Sequence, residues 1–243
     1  MAQDSSFWNS DESVLRYADM EYKLYDTEEL YIKKAAKLLG KRAGDVRILD
    51  VGCGGGRSTV PLYRAGYDVT GVDISPRLIA SLKSKFPEIK SVVGDVSKLD
   101  FSEGEFDIAL FSHNGLDCLY PYESRKSALL EVQRVLGPGG FFIFSSHVFN
   151  LLPYNRQTLK NTLFNWKKIV SILLGGGFYN EKMSNGMEVK LYASTCRLVE
   201  KELSEAGFSV LESSRIVNNE KSWFRNFAKG LISWERYYLT RKV

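Results

Sequence analysis

The sequence predicts an α/β fold in which mostly parallel strands are covered by helices on both faces. Three observations carry this. Short apolar runs alternate with amphipathic stretches along the middle of the chain. The runs are apolar almost throughout, as strands buried on both faces must be. The segment "LDVGCGGGRSTV", Leu49 to Val60, joins strand to helix through four glycines in five positions, a turn that lets a ligand approach bare backbone.

The elements follow in order. "TEELYIKKAAKLLGKR" reads as a helix with Thr27 as cap and Glu28 and Glu29 in its first turn, with Leu30, Ala35, Leu38 and Leu39 at near-helical spacing. Gly40 ends it. "VRILDV" is a buried strand, "RSTVPLYRAG" a helix and "YDVTGVD" a strand. "SPRLIASLKSKF" is a helix with Ser75 as cap and Pro76 at its first position. "IKSVVGD" and "FDIALFS" are strands, followed by the helix "ESRKSALLEVQRVL", the turn "GPGG" and the strand "FFIFSSH". After His147 the pattern changes. "YNRQTLKNTLFNWKKIVSILLGGG" reads as a basic amphipathic helix stopped by Gly175 to Gly177, and "FYNEKMSNGM" as a polar loop. "EVKLYA" is an additional strand, "TCRLVEKELSEAGF" a helix, and "SVLESSRIV" and "WERYYLTRKV" are two closing strands around the aromatic-rich "KSWFRNFAKGLIS".

At 243 residues the chain reads as one domain, 1–243, with a helical N-terminal segment 1–44 and an insertion over 151–187 expected as a lid, the competing readings of its helix being a dimerising partner helix and a basic face for anionic lipid or nucleic acid. No apolar run is long enough to span a bilayer, and the acidic start "MAQDSSFWNSDESVLR" is not that of a secretory signal, so a cytoplasmic protein is expected. Cys53, Cys118 and Cys196 form no CxxC pair and suggest neither disulfides nor zinc. A net charge of +4 does not by itself imply nucleic acid. Its distribution is uneven, with six basic residues against two acids between Leu151 and Lys190.

What the glycine turn holds can be narrowed. A triphosphate-binding loop needs a Lys after its last glycine, and Arg57 stands there. The dinucleotide pattern needs a small residue at the sixth place from Gly52, which is again Arg57. The pattern present is Asp50-x-Gly52-x-Gly54-x-Gly56. "VTGVDIS" then places Asp73 at the end of the second strand, where an acid can accept ribose hydroxyls. "VVGDV" places Asp95 and Val96 after the third, and "FDIALFS" with "RVLGPGGFFIF" forms a fourth strand, helix, glycine turn and fifth strand. The competing reading is that Asp50, Asp73 and Asp95 are only turn formers at strand ends.

In these motifs, strongly from about Leu30 to His147, the chain resembles the class I S-adenosylmethionine-dependent methyltransferases. The resemblance implies a doubly wound sheet of seven strands in the order 3-2-1-4-5-7-6, the last antiparallel. It also implies S-adenosylmethionine as cofactor and S-adenosylhomocysteine as product. Carried onto this chain, the cofactor set is Asp50, Gly52, Cys53, Gly54, Gly56, Asp73, Ile74, Asp95, Val96 and Ser112. Asp73 would take the ribose hydroxyls, Asp95 the adenine amino group and the Val96 amide a ring nitrogen. The methionine would lie along the glycines, its carboxylate at the helix start after Gly56 and its amino group near Asp50.

The acceptor belongs at the ends of the fourth and fifth strands. The chain has two histidines, His113 in "LFSHNGLD" and His147 in "FSSHVFN", one at each of those ends. Either can act as a general base near neutrality, or only order the pocket wall. Asn114 and Asp117 are candidates for orienting the acceptor. Tyr17, Tyr22 and Tyr25 precede the first motif and either pack or face the cofactor. "SHNGLD" lacks the paired prolines of methyltransferases acting on base amino groups and the Asp-x-x-Asp of aminopropyltransferases, and no carboxylate cluster suggests a metal. The expected acceptor is an oxygen or nitrogen of a small molecule, in a monomer or homodimer. RNA or protein methylation through the basic insertion, and cofactor binding without catalysis, are the competing readings.

Overall fold

The computed structural model describes residues 5–149, 176–182, 188–215 and 233–243. Its strands are β1 (Arg47–Val51), β2 (Asp68–Asp73), β3 (Lys90–Val93), β4 (Phe106–Phe111), β5 (Leu136–Phe149), β6 (Gly177–Lys182), β7 (Glu188–Ala193), β8 (Phe208–Arg215) and β9 (Ser233–Lys242). The helices are α1 (Ser5–Trp8), α2 (Asp11–Ala18), α3 (Asp26–Leu39), α4 (Thr59–Arg64), α5 (Pro76–Lys85), α6 (Tyr122–Val135) and α7 (Cys196–Glu205).

The central sheet has seven strands in the order β3-β2-β1-β4-β5-β9-β8. With the separate β6–β7 pair set aside, this is the expected order. The β3-to-β5 neighbours pair parallel, whereas β9 runs antiparallel to both β5 and β8. Alternation along β4 shows why the strands are apolar throughout. Ala109 and Phe111 face the layer holding Leu129, Val132 and Leu203 of α6 and α7. Ile108 and Leu110 face the layer holding Tyr31, Ile32, Ala35, Ile79 and Leu82 of α3 and α5. All six β4 residues are buried.

Several local expectations change. Helix α3 begins at Asp26, not after a Thr27 cap, because the Glu28 carboxylate accepts the Tyr25 N–H at 2.9 Å. Its buried stripe is Tyr31, Ile32, Ala35 and Ala36; Leu30 and Leu38 are 58% and 54% exposed. Gly40 ends it in the left-handed conformation, φ 66°. The "GPGG" turn is absorbed into β5. Part of the expected polar loop 178–187 is strand β6, paired with β7 in its own two-stranded sheet. Partner backbone supplies a ladder that the polar composition conceals. The basic helix expected over 155–174, residues 183–187 and the aromatic-rich segment within 216–232 lie outside the described residues.

Parallel pairing brings the ends of β1, β2 and β4 to one edge of the sheet, with Asp95 just beyond β3 on the same edge. Among the described residues no helix is long and apolar enough to cross a membrane.

Candidate active site

A cavity of about 340 Å³ opens at that edge. Of the residues singled out from the sequence, it is lined by Gly52, Cys53, Gly54, Asp73, Ile74, Asp95, Val96, Ser112, His113, Asn114 and His147. Asp50, Gly56 and Asp117 are not in its wall. Trp8, Arg16, Tyr17 and Met20 of the N-terminal segment also line it, and Val189 and Leu191 of β7 contribute at the β4–β5 end.

The glycines of the turn do different things. Gly52 and Gly54 have φ of 64° and 54°, a region that strains residues carrying a Cβ. Gly55 is needed for packing: a Cβ there would stand 2.5 Å from the Tyr17 carbonyl oxygen. Its N–H donates to that oxygen at 3.3 Å, so the end of α2 lies directly on the turn. At Gly56 a Cβ would meet Leu82 of α5 at 2.6 Å.

Asp50 is fully buried and faces the start of α4. Its Oδ2 accepts from the hydroxyls of Ser58 at 2.7 Å and Thr59 at 2.6 Å, while Oδ1 has no partner. Burial pushes its carboxyl up to about 6. Asp73 accepts the Gly54 N–H at 2.8 Å through Oδ2 and the Ser75 N–H at 2.8 Å through Oδ1. Asp95 Oδ1 accepts both the backbone N–H and the hydroxyl of Ser97 at 2.8 Å. Each carboxylate oxygen has two lone pairs, so both acids keep accepting capacity towards the cavity.

After β4 the chain makes a strained turn. His113 and Asn114 are consecutive residues with positive φ, 54° and 56°, a conformation costing about 1–2 kcal/mol per ordinary residue and less for Asn. The Asn114 N–H is anchored on Ser145 Oγ at 2.8 Å. His113 Nδ1 lies 3.3 Å from the Tyr25 hydroxyl, with the two rings stacked. Burial, and then the nearby Arg57 charge, lowers its pKa. Tyr17 lines the cavity, whereas Tyr22 packs edge-on against Phe86.

His147 is held differently. Asp117, fully buried, accepts its backbone N–H at 2.6 Å and lies 3.1 Å from Nδ1 through Oδ2. Asp117 Oδ1 accepts from Arg125 at 2.9 Å and Ser146 at 2.7 Å. Arg125, buried across the Tyr192 ring, also donates to Glu202 at 3.0 Å. On the other side, Asn114 Nδ2 lies 3.2 Å from His147 Nε2 and donates to Glu235 Oε1 at 2.8 Å.

A second buried network braces the turn from beneath. Glu28, fully buried, accepts two contacts from Arg57, at 2.9 and 3.1 Å, and one from Tyr237 at 2.6 Å, and also bonds Ser112 Oγ. Arg57 donates further to Lys23 O and Ser112 Oγ, both at 2.6 Å, and covers the Tyr25 ring. Glu28, Arg57, Tyr237, Glu235, Arg125 and Glu202 were not anticipated from sequence. The one local signal was the capping spacing of Tyr25 and Glu28.

Residues 49–144 match the model of the methyltransferase domain family. An uncharacterised methyltransferase of Synechocystis sp. is 38% identical over 96 residues, covering 40% of this chain and 44% of that protein. The demethylmenaquinone methyltransferase of Tropheryma whipplei is 32% identical over 144 residues, covering 57% and 58%. A magnesium-protoporphyrin O-methyltransferase of Rhodobacter capsulatus is 36% identical over 112 residues, covering 44% and 45%. The matches thus span about half the length of these relatives. Among solved structures, a methyltransferase of Methanosarcina mazei superposes with a TM-score of 0.66 at 19% identity, over 91% of this chain and 99% of that one. A Burkholderia thailandensis 1,6-didemethyltoxoflavin N1-methyltransferase, solved with S-adenosylhomocysteine, gives 0.57 at 24% identity, over 89% and 80%. At such identities the structural likeness bears on the fold.

Proposed function

We propose that this chain, whose residues 49–144 belong to the methyltransferase domain family and whose sheet is that of the class I enzymes, transfers a methyl group from S-adenosylmethionine to an oxygen or nitrogen of a small molecule and releases S-adenosylhomocysteine. One observation carries this reading. A single cavity has the glycine turn, Asp73 and Asp95 on one side and His113, Asn114 and His147 on the other.

The residues present fit the cofactor. Gly52 and Gly54 leave bare backbone for the methionine portion, Asp73 keeps lone pairs for ribose hydroxyls, and Asp95 with the Val96 amide suits an adenine edge. Asp50, turned towards Ser58 and Thr59, acts one step back by fixing the start of α4. Bound there, S-adenosylmethionine supplies a methyl carbon on a good leaving group. The chain's own contribution is to align donor and acceptor and to exclude water, with Tyr17 and Met20 on one wall and Leu191 on another. Two relatives named for small-molecule acceptors, demethylmenaquinone and magnesium-protoporphyrin, support a small acceptor. The apolar side chains of Phe111, Leu119, Val189 and Leu191, which line the cavity beside His113, Asn114 and His147, agree with it.

The test is incubation with methyl-labelled S-adenosylmethionine and a cell extract, fractionated into small molecules, lipid, RNA and protein. Label in a small molecule is expected with the unmodified chain. Asp73→Ala should bind S-adenosylhomocysteine at least tenfold more weakly, since a hydrogen bond to a charged group contributes about 1.5–3 kcal/mol. Label confined to RNA or protein, or unchanged affinity in the variant, overturns the acceptor class or the ribose assignment.

A further inference from the structure

Two carboxylates, the fully buried Asp117 and the half-buried Glu235, flank one imidazole at the acceptor end of the cavity. Asp117, fully buried, lies 3.1 Å from His147 Nδ1, and an ionised carboxylate only accepts hydrogen bonds. That contact requires the ring proton on Nδ1. On the opposite edge, the side-chain nitrogen of Asn114 only donates, and it lies 3.2 Å from His147 Nε2. That contact requires a lone pair on Nε2. The two contacts come from different residues and specify the same tautomer. Asn114 is itself fixed by Glu235 Oε1, which takes the other amide hydrogen at 2.8 Å, and by its own N–H on Ser145 Oγ at 2.8 Å.

We infer that Asp117, directly, and Glu235, through Asn114, are positioning residues that hold His147 with its proton on Nδ1 and its Nε2 lone pair at the cavity, and that His147 takes the proton from a hydroxyl acceptor. This rests on the methyl-transfer reading above and narrows its acceptor class. A neutral amine attacks with its own lone pair and needs no prior deprotonation, whereas a neutral hydroxyl becomes a good nucleophile only as it loses its proton. Asn114 lines the cavity, and its Oδ1 is buried with no hydrogen-bond partner, so the side chain retains an unused acceptor. The long Asn114 contact at Nε2 is one that an incoming hydroxyl can displace.

The step balances. The O–H bond breaks as the oxygen bonds the methyl carbon, the carbon–sulfur electron pair remains on sulfur, and the proton passes to Nε2. The resulting imidazolium lies beside Asp117, and its proton returns to water once product has left. Among the described residues, the groups facing His147 include Asp117 from the 3-10 turn Gly115–Cys118, Glu235 on β9 and His113 before Asn114. Arg125 of α6 lies behind Asp117, and Glu28 of α3 beyond Glu235.

Nitrogen-15 imidazole NMR of the full chain tests this without an acceptor. The chain has two histidines, and His113→Asn, tolerant of positive φ, assigns them. Neutral His147 should show a protonated Nδ1 and an unprotonated Nε2, and Asp117→Asn should move the proton to Nε2. Asn114→Gly removes the donor that favours the neutral ring and should raise the His147 titration midpoint by roughly 0.5–1 pH unit. This arm stands if Asp117→Asn fails to fold. In the labelled-extract assay His147→Asn should lose at least about 100-fold in transfer while binding S-adenosylhomocysteine within threefold of the parent. A proton on Nε2 in the parent chain, an unmoved midpoint in Asn114→Gly, or transfer within tenfold of the parent in His147→Asn each overturns the inference. Failure of the parent chain to bind S-adenosylhomocysteine overturns the methyl-transfer reading instead, and the tautomer measurement still reads out separately.

Discussion

Gly55→Ala tests how the N-terminal segment closes the cavity. Gly55 is not in the left-handed region, so an alanine there incurs a steric cost and no backbone strain. Its Cβ would lie 2.5 Å from Tyr17 O, 2.6 Å from Ala18 Cα and 2.9 Å from Ala18 O. All three are backbone atoms, which cannot swing away as a side chain can. Overpacking of this kind costs about 1–3 kcal/mol, and losing the Gly55 N–H to Tyr17 contact adds about 1 kcal/mol. Nearly all of α2 lies outside the two core layers, so lifting it relieves the clash without opening either. The prediction is local release: protease cleavage within residues 10–22 rises at least tenfold, Tm falls by less than about 4 °C, and S-adenosylhomocysteine binds about 10–100-fold more weakly. Weaker binding with unchanged cleavage would mean that Gly55 acts by touching the ligand. No change in either would refute the packing of Tyr17 on the turn.

Other perturbations probe the buried charges. Burial lifts the Asp50 carboxyl from 3.8 to about 6, so the folded chain holds this proton more tightly than the unfolded one. The associated stability is complete below about pH 4 and lost as the pH rises through about 6. Asp50→Asn cannot ionise, and relative to the parent it should gain up to about 3 kcal/mol between pH 4 and pH 7, measured by urea unfolding across that window; a difference independent of pH contradicts the assignment. Arg125→Met would leave Asp117 and Glu202 buried without their shared cation. It should lose about 3–5 kcal/mol, part of which returns in the triple variant with Asp117→Asn and Glu202→Gln; additive losses would show that the charges are uncoupled.

What could be read from sequence was what sits within one strand-turn-helix unit. Asp73 ends β2, Asp95 and His113 fall just past β3 and β4, and His147, expected at the end of its strand, lies within β5 two residues short of Phe149 because pairing with β9 extends the ladder; parallel pairing then brings them to one edge. Asp50 was legible as a motif residue but not in its direction, because pleat alternation and the hydroxyls of Ser58 and Thr59 decide where its carboxylate faces. In the sequence Glu28 reads, with Glu29, as one of two acids in the first turn of its helix. Its burial depends on Arg57 and on Tyr237, which lies 209 residues away. Glu235 was hidden for the same reason: nothing within β9 indicates that it meets Asn114, 121 residues earlier.

The position of β9 has a consequence for how the molecule is made. This strand lies between β5 and β8, yet it leaves the ribosome after both of them. Until residues 233–242 have emerged, β5 presents an open edge, Glu28 lacks the Tyr237 hydroxyl, and Asn114 lacks Glu235. A nascent chain can therefore assemble the glycine turn and its neighbouring strands well before the acceptor side exists. Synthesis order separates the two halves of the site in time, and the late insertion of a central strand, a contact of large sequence separation, is where slow folding and edge-to-edge association between incomplete chains should concentrate.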